Sequence, residues 1–189
     1  IALAGIIYLL RNIKNKVRIA VTAPELVNIQ SLMMMAERAL KIVGIEFKRI
    51  TKGDDVIELK GDKFSIEYWP PVVVPNLDVD VIVVDEAAGI PVPLLHKMWR
   101  SCKYTIFATT IHGYEGAGRG FSVRFLKRLK ESVDTNLQIY ELEEPIRYGI
   151  DDPVEKWSFR VLLLDAEPDE LSEEDLEYIR RGEFVYLRV

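Results

Sequence analysis

The chain has 189 residues, of which 49% are hydrophobic and 29% charged, a balance that favours a folded domain and excludes an intrinsically disordered chain. The formal net charge of −5 lacks the basic excess typical of a general nucleic-acid-binding surface, although local basic patches remain open. The single cysteine, Cys102, excludes an internal disulfide and predicts a reducing, cytoplasmic location.

The chain opens on an apolar helical stretch at residues 1–13 that has no N-cap or turn before it. Its uninterrupted apolar run covers residues 1–10 and stops before Arg11, whereas a membrane span needs roughly 20 such residues. We therefore expect no contact with a membrane.

Helical and strand-like segments alternate after this stretch, which predicts an α/β architecture with a largely parallel sheet. Strands are predicted at 17–22, 45–50, 64–69, 80–84, 104–109, 137–142, 161–164 and 184–189. Helices are predicted at 25–43, 93–102, 122–131 and 172–181, a hairpin around the turns at 52–55 and 61–62, and a glycine-rich loop at 111–120.

The segment from Val81 to Pro93 carries the most informative pattern. Its VIVV run lacks polar alternation, as in a strand buried on both faces of a parallel sheet. Asp85 and Glu86 follow at the strand end, where open α/β sheets bind ligands. This is the form of a Walker B element, in which Asp85 would hold Mg²⁺ through water and Glu86 would orient or activate the water that attacks a γ-phosphate. A solvated strand end is the alternative interpretation.

A phosphate-binding loop of the form G-x-x-x-x-G-K-[ST] does not occur in the chain. In P-loop proteins such a loop runs directly into a helix like the one that opens this sequence. We therefore expect the chain to be a fragment that begins just after its own phosphate loop. A domain that never had the loop is the alternative.

Hydroxyl groups end two further predicted strands. Thr109 and Thr110 lie at the end of the strand predicted at 104–109, where helicase-like ATPases place a hydroxyl pair that senses the γ-phosphate. The β-propensity of threonine is the alternative explanation. The turn that contains Thr22 and Pro24 is a weaker candidate for an RNA-facing segment, since proline is ordinary at the start of a helix.

Two arginines are candidates for contact with a phosphoryl group. Arg119 lies in the glycine-rich loop, which we interpret as a lid, a sensor or an RNA contact. Arg147 has the side chain that best stabilises charge on a transferring phosphoryl group. From composition alone, an ion pair of Arg147 with Glu143 or Glu144 is the plainer interpretation.

Four runs of sequence together resemble the RNA cytidine acetyltransferases: VVDEAAGIPVPLL, TTIHGYEGAGRGFSVRFL, EPIRYGIDDPVEKW and LLLDAEP. The resemblance covers roughly residues 17–168 and corresponds to the helicase module of much longer proteins. It implies a RecA-like P-loop NTPase fold over residues 1–189, truncated at its N-terminus, with a mostly parallel sheet and helices on both faces.

The resemblance also assigns roles to individual residues. Asp85 and Glu86 match the acids of the family's DEAA motif, and Arg147 matches an arginine that contacts ATP. Arg119 belongs to the family's GYEGTGRG loop, which has alanine in place of threonine here. Gly89 stands where the family has alanine, and we expect little consequence from this exchange.

The resemblance implies ATP and Mg²⁺ as cofactors, with acetyl-CoA used by an acetyltransferase domain in cis in the intact protein. The partner would be tRNA or another RNA, and the product N4-acetylcytidine. The chain alone is expected to bind nucleotide weakly or not at all. A stand-alone helicase-type ATPase and a non-catalytic RNA- or protein-binding scaffold remain as alternatives.

Overall fold

A computed structural model of the chain describes residues 2–10, 15–110, 120–142, 149, 151–162 and 173–182. The chain divides into two compact units, Ile1–Leu137 and Gln138–Val189. None of the helices in the described ranges is long and apolar enough to cross a bilayer.

The first unit is built on a six-stranded sheet in the order β2-β3-β4-β1-β5-β6. The strands are β1 (Val17–Thr22), β2 (Lys48–Lys52), β3 (Asp55–Lys60), β4 (Phe64–Tyr68), β5 (Val81–Val84) and β6 (Tyr104–Phe107). Strand β1 pairs in parallel with β4 and β5, and β5 pairs in parallel with β6. Strands β2 and β3 form the predicted hairpin and continue the sheet in antiparallel fashion. The mostly parallel sheet predicted from the sequence is therefore confirmed.

The helices of the first unit are α1 (Ala2–Leu10), α2 (Gln30–Ile42), α3 (Val92–Ser101) and α4 (Lys127–Lys130). A π-helix at Gly120–Leu126 runs directly into α4. Short 3-10 turns lie at Leu26–Ile29, Val74–Asn76 and Ala87–Gly89. The second unit contains α5 (Pro153–Leu162) and α6 (Glu173–Arg180).

Helices cover both faces of the sheet, as the family resemblance implies. Successive side chains of a strand point to opposite faces, so the apolar residues of β1 and β5 pack in two separate cores, one on each face. Ile19, Val81 and Val83 pack in one core with residues of α1 and α2. Ala20, Ile82, Val84, Leu95, Met98, Phe121, Phe125 and Leu129 pack in the other core, against α3 and the π-helix.

One predicted strand is wrong because its segment finds no partner in the sheet. Residues 137–142 have no regular secondary structure, although the sequence LQIYEL has the composition of a strand. Ile139, Tyr140 and Leu142 are all exposed. A short apolar run gives local β-propensity, but only a neighbouring strand edge can pair its backbone groups.

A second strand prediction is wrong because the segment continues a helix. The first two residues of the strand predicted at 161–164 end α5. That helix is fixed at its start by Asp152, whose Oδ1 accepts the backbone N–H groups of Val154 at 2.8 Å and Glu155 at 3.1 Å. Residues 163–164, the loop at 111–119 and the strand predicted at 184–189 lie outside the described residues.

Candidate functional site

The carboxyl ends of β1, β5 and β6 meet at one edge of the sheet. The Asp85 N–H donates to the Thr22 carbonyl at 2.8 Å, which ties the residue after β5 to the end of β1. On the other side of β5, the Ala108 N–H donates to the Val84 carbonyl at 2.8 Å. Polar side chains that follow the three strands are therefore brought together, as expected for the ligand-binding edge of a parallel sheet.

The backbone turns sharply at the carboxylate pair. Glu86 adopts the left-handed conformation, with φ 47° and ψ 45°, and its N–H donates to Asp85 Oδ1 at 3.0 Å. This conformation is uncommon for a residue other than glycine and costs on the order of 1 kcal/mol. The hydrogen bond orients the Asp85 carboxylate, and both acidic side chains are half-buried.

Thr109 is bound to the turn that follows the two acids. Its Oγ1 accepts the Ala88 N–H at 3.2 Å and donates to the Thr110 carbonyl at 3.1 Å. The Ala87 N–H donates to the Ala108 carbonyl at 3.0 Å, which joins the same turn to the backbone after β6. The structure thus brings Thr109 to the carboxylate turn and leaves Thr110 exposed.

Asn28 is a site residue that the sequence analysis missed. Its Nδ2 donates to Glu86 Oε2 at 2.9 Å, and its Oδ1 accepts the Glu25 N–H at 2.9 Å. The available signal was a polar side chain in the first helical turn after β1. That signal points to a contact with Glu86 only once β1 is known to lie beside β5.

Thr22 contributes a buried hydroxyl at the same edge. The residue has no exposed surface, and its Oγ1 has no hydrogen-bond partner among the residues that the structure describes. A buried polar atom without a partner costs about 1–3 kcal/mol. This unpaired hydroxyl lies at the end of β1, where the Thr22 carbonyl accepts the Asp85 N–H.

The two carboxylates suit a hard metal ion that takes few ligands from the protein. Within the described ranges no three His, Cys, Asp or Glu side chains cluster closely enough to form a protein cage for an ion. Asp85 and Glu86 fit Mg²⁺, which keeps several waters and is held by one or two carboxylates together with substrate phosphates. The candidate arginines, Arg119 and Arg147, lie outside the described residues.

The fold is that of a RecA-like α/β domain. Among solved structures, a large terminase from a thermophilic bacteriophage superposes with a TM-score of 0.50. The sequence identity is 14%, and the match covers 68% of this chain and 34% of the terminase chain. At this identity the similarity concerns the fold alone.

The family is given by the sequence. The family model described as RNA cytidine acetyltransferase NAT10/TcmA, helicase domain, matches residues 2–165, and the chain belongs to this family. It is 50% identical over 174 residues to the tRNA(Met) cytidine acetyltransferase TmcA of Pyrococcus abyssi, a match that covers 92% of this chain and 21% of that protein. The TmcA of Thermococcus kodakarensis is 49% identical over 175 residues, with 93% and 21% covered. The chain thus spans about a fifth of the length of these relatives.

Proposed function

We propose that this chain is the ATP-binding and ATP-hydrolysing helicase module of an RNA cytidine acetyltransferase. The complete enzyme would form N4-acetylcytidine in tRNA or another RNA from acetyl-CoA and ATP. The observation that carries the proposal is the convergence of Asp85, Glu86 and Thr109 at the carboxyl ends of two adjacent parallel strands, in a chain of this family.

Asp85 would hold Mg²⁺ through water. The hydrogen bond from the Glu86 N–H to Asp85 Oδ1 sets the orientation of the carboxylate before any ligand arrives. The ion, bound together with the nucleotide, would neutralise charge on the β- and γ-phosphates. The buried Thr22 hydroxyl is a further polar group at this edge.

Glu86 would orient the attacking water and accept its proton. An ionised carboxylate offers about four lone-pair sites on its two oxygens, so it can accept several hydrogen bonds at once. The hydrogen bond from Asn28 Nδ2 to Oε2 holds this carboxylate in position. A base oriented by a neighbouring group is the arrangement that general base catalysis uses, and the contact with Asn28 supports this role for Glu86.

The remaining candidates would respond to the γ-phosphate. Thr109 Oγ1 accepts the Ala88 N–H, so a displacement of Thr109 would be passed to the backbone turn that carries Glu86. Thr110 would act beside it. Arg147 and Arg119 would supply positive charge to the phosphates, the role for which the guanidinium group is best suited. The consequence of ATP use would be to reposition the RNA for acetylation elsewhere in the gene product.

The test is isothermal calorimetry with ATP and Mg²⁺, on this chain and on the full gene product. We expect the full product to bind and the isolated chain to bind weakly or not at all. Asp85→Ala and Arg147→Ala should weaken binding by the full product, whereas the exposed control Glu131→Gln should not. Absence of binding in the full product would favour a non-catalytic scaffold instead.

A further inference from the structure

Positive charge is concentrated in one part of the chain, although the whole chain carries −5. Between residues 92 and 130 the only acidic residue is Glu115. The basic side chains in the described part of this segment lie on α3, the π-helix and α4, or directly after α3: His96, Lys97, Arg100, Lys103, Arg124, Lys127, Arg128 and Lys130. The sequence therefore places a strongly basic surface on an acidic protein.

A groove runs between α3 and α4. One hollow of about 490 Å³ is lined by Pro93, His96, Lys97, Arg100 and Arg128. A second hollow, of about 340 Å³, shares Arg100 and Arg128 and is also lined by Trp99, Glu131 and Ser132. Because the two hollows share both arginines, we treat them as one surface, the α3–α4 groove.

No carboxylate of the described residues neutralises the cations of the α3–α4 groove. Lys97, Arg100 and Arg128 are exposed, and none of them forms an ion pair with a carboxylate of the described residues. Glu131, at the end of the groove, is its only acidic lining residue among those described. Unpaired cations around a concave surface focus positive potential and raise the local concentration of anions.

The pKa of His96 is sensitive to this positive potential. Its ring packs edge-on against Phe125, with 5.1 Å between ring centroids, and lies 5.9 Å from the Trp99 ring. Burial lowers the pKa of His96, and repulsion by the charges of Arg100 and Arg128 lowers it further. Both arginines therefore act on the same wall of the groove.

Trp99 holds one of the arginines in place. The guanidinium carbon of Arg100 lies 5.7 Å from the centroid of the Trp99 ring, a cation–π contact. A guanidinium carries five N–H donors, and their arrangement matches the oxygens of a phosphate. The groove thus combines guanidinium donors suited to phosphate with an aromatic side chain.

We propose that the α3–α4 groove binds the phosphate backbone of RNA. The proposal rests on the proposed function, because the relatives are named as tRNA(Met) acetyltransferases and tRNA is the polyanion that such an enzyme must hold. The groove residues are not those of the carboxylate site, so the proposed RNA contact is separate from the proposed ATP site. Backbone contacts of this kind fix position and carry no sequence information.

The test measures binding of an unmodified tRNA(Met) transcript to the full gene product, without ATP, over a series of salt concentrations. Each phosphate contact contributes about 0.9 to the slope of log affinity against log salt on duplex nucleic acid, and less on single strands. The double variant Arg100→Gln/Arg128→Gln should therefore reduce the slope by about 1–2 and weaken binding at every salt concentration. The matched control is Lys48→Gln/Lys52→Gln on the exposed edge strand β2, which removes equal charge and should leave the slope unchanged.

Two results would overturn the proposal. The arginine variant could keep the wild-type slope and affinity, as it would if the groove bound an acidic protein instead of RNA. Alternatively, the β2 control could lose as much slope and affinity as the arginine variant. The outcome is separable from that of the proposed function, because ATP binding is measured without RNA and RNA binding without ATP. If Asp85→Ala left ATP binding unchanged, the nucleotide site would be refuted, and the result for RNA binding would still hold.

Discussion

The side chain of Asn28 holds Glu86 across the sheet edge through a hydrogen bond of 2.9 Å from Nδ2 to Oε2. The orientation of the amide is fixed by its other end, because Oδ1 accepts the Glu25 N–H at 2.9 Å and a backbone N–H can only donate. The amide nitrogen must therefore face the carboxylate. Asn28 links the turn after β1 to the acid after β5.

This relationship predicts effects of different size for two substitutions at Asn28. Asn28→Asp keeps an acceptor for the Glu25 N–H but replaces the donor to Glu86 with a like charge. We expect the kcat for ATP hydrolysis by the full gene product to fall roughly 10- to 100-fold, with little change in KM for ATP, because the base is displaced. Steady-state kinetics measure both quantities.

Asn28→Ala provides the comparison, since it removes both hydrogen bonds without adding charge. It should lower the free energy of unfolding by about 1 kcal/mol, as expected for a lost cap, and reduce kcat less than Asn28→Asp does. A purely structural role for Asn28 would give the reverse order, with Asn28→Ala more damaging to both stability and rate.

Gly89→Ala should disturb the turn after β1. A Cβ at Gly89 would lie 2.8 Å from Pro24 Cγ, so one of the two segments must move. Glycine in place of the family's alanine at this position therefore has a steric consequence, whereas the sequence alone led us to expect little. We expect a loss of about 1 kcal/mol in unfolding free energy, measured in denaturant. An unchanged or raised stability would show that the turn at Pro24 yields without cost.

The charge of Arg128 on α4 should have a measurable effect on the pKa of His96. Burial and the charges of Arg100 and Arg128 lower the pKa of His96 in the folded chain, so the unfolded chain binds a proton more readily. The resulting stability is present above the ordinary pKa of 6.5 and is lost as pH falls through the lower folded value. In an NMR titration, Arg128→Gln should move the His96 pKa upward, whereas Arg124→Gln should move it less. Equal shifts in the two variants would contradict this account.

Glu67 should contribute to acid stability. Burial raises the pKa of Glu67, but hydrogen bonds from Arg18, Ser65 and Trp69 outweigh it and hold the pKa below the ordinary value. The Arg18 Nη2 and Trp69 Nε1 donors both lie 3.0 Å from Glu67 Oε2. Stability from this charge is present above the ordinary pKa and is lost as pH falls through the depressed folded value.

The corresponding variant is Glu67→Gln, which keeps the shape of the side chain and removes its charge. We expect it to lower the unfolding free energy by about 1–2 kcal/mol at neutral pH and to flatten the loss of stability in acid. A conservative control is Glu174→Gln on α6, an exposed residue. If Glu67→Gln unfolded with the same acid dependence as the unsubstituted chain, the carboxylate would not be the titrating group.

Much of the sheet could be predicted because a buried parallel strand has a continuous apolar run. The run from Val81 to Val84, followed by Asp85 and Glu86, indicated both the strand and the acids at its end. The strand predicted at 161–164 failed for the opposite reason, since a short apolar run also suits a helix whose start lies several residues earlier.

The part of the site that the sequence did not reveal depends on which strands are neighbours. Asn28 and Glu86 are 58 residues apart in the chain and meet because β1 lies between β4 and β5. The orphaned hydroxyl of Thr22 follows from the same placement, because burial at a strand end is a property of the assembled sheet. Periodicity describes one element at a time and does not report such contacts.

The most direct measurement of the central claim is single-turnover ATP hydrolysis by the full gene product carrying Glu86→Gln, with ATP binding measured in parallel. The amide keeps the shape of the carboxylate but cannot accept the proton of the attacking water. We expect ATP binding to persist while the hydrolysis rate falls by about 100-fold or more. Hydrolysis at the wild-type rate would contradict the assignment of Glu86, and with it the interpretation of this sheet edge as a nucleotide-hydrolysing site.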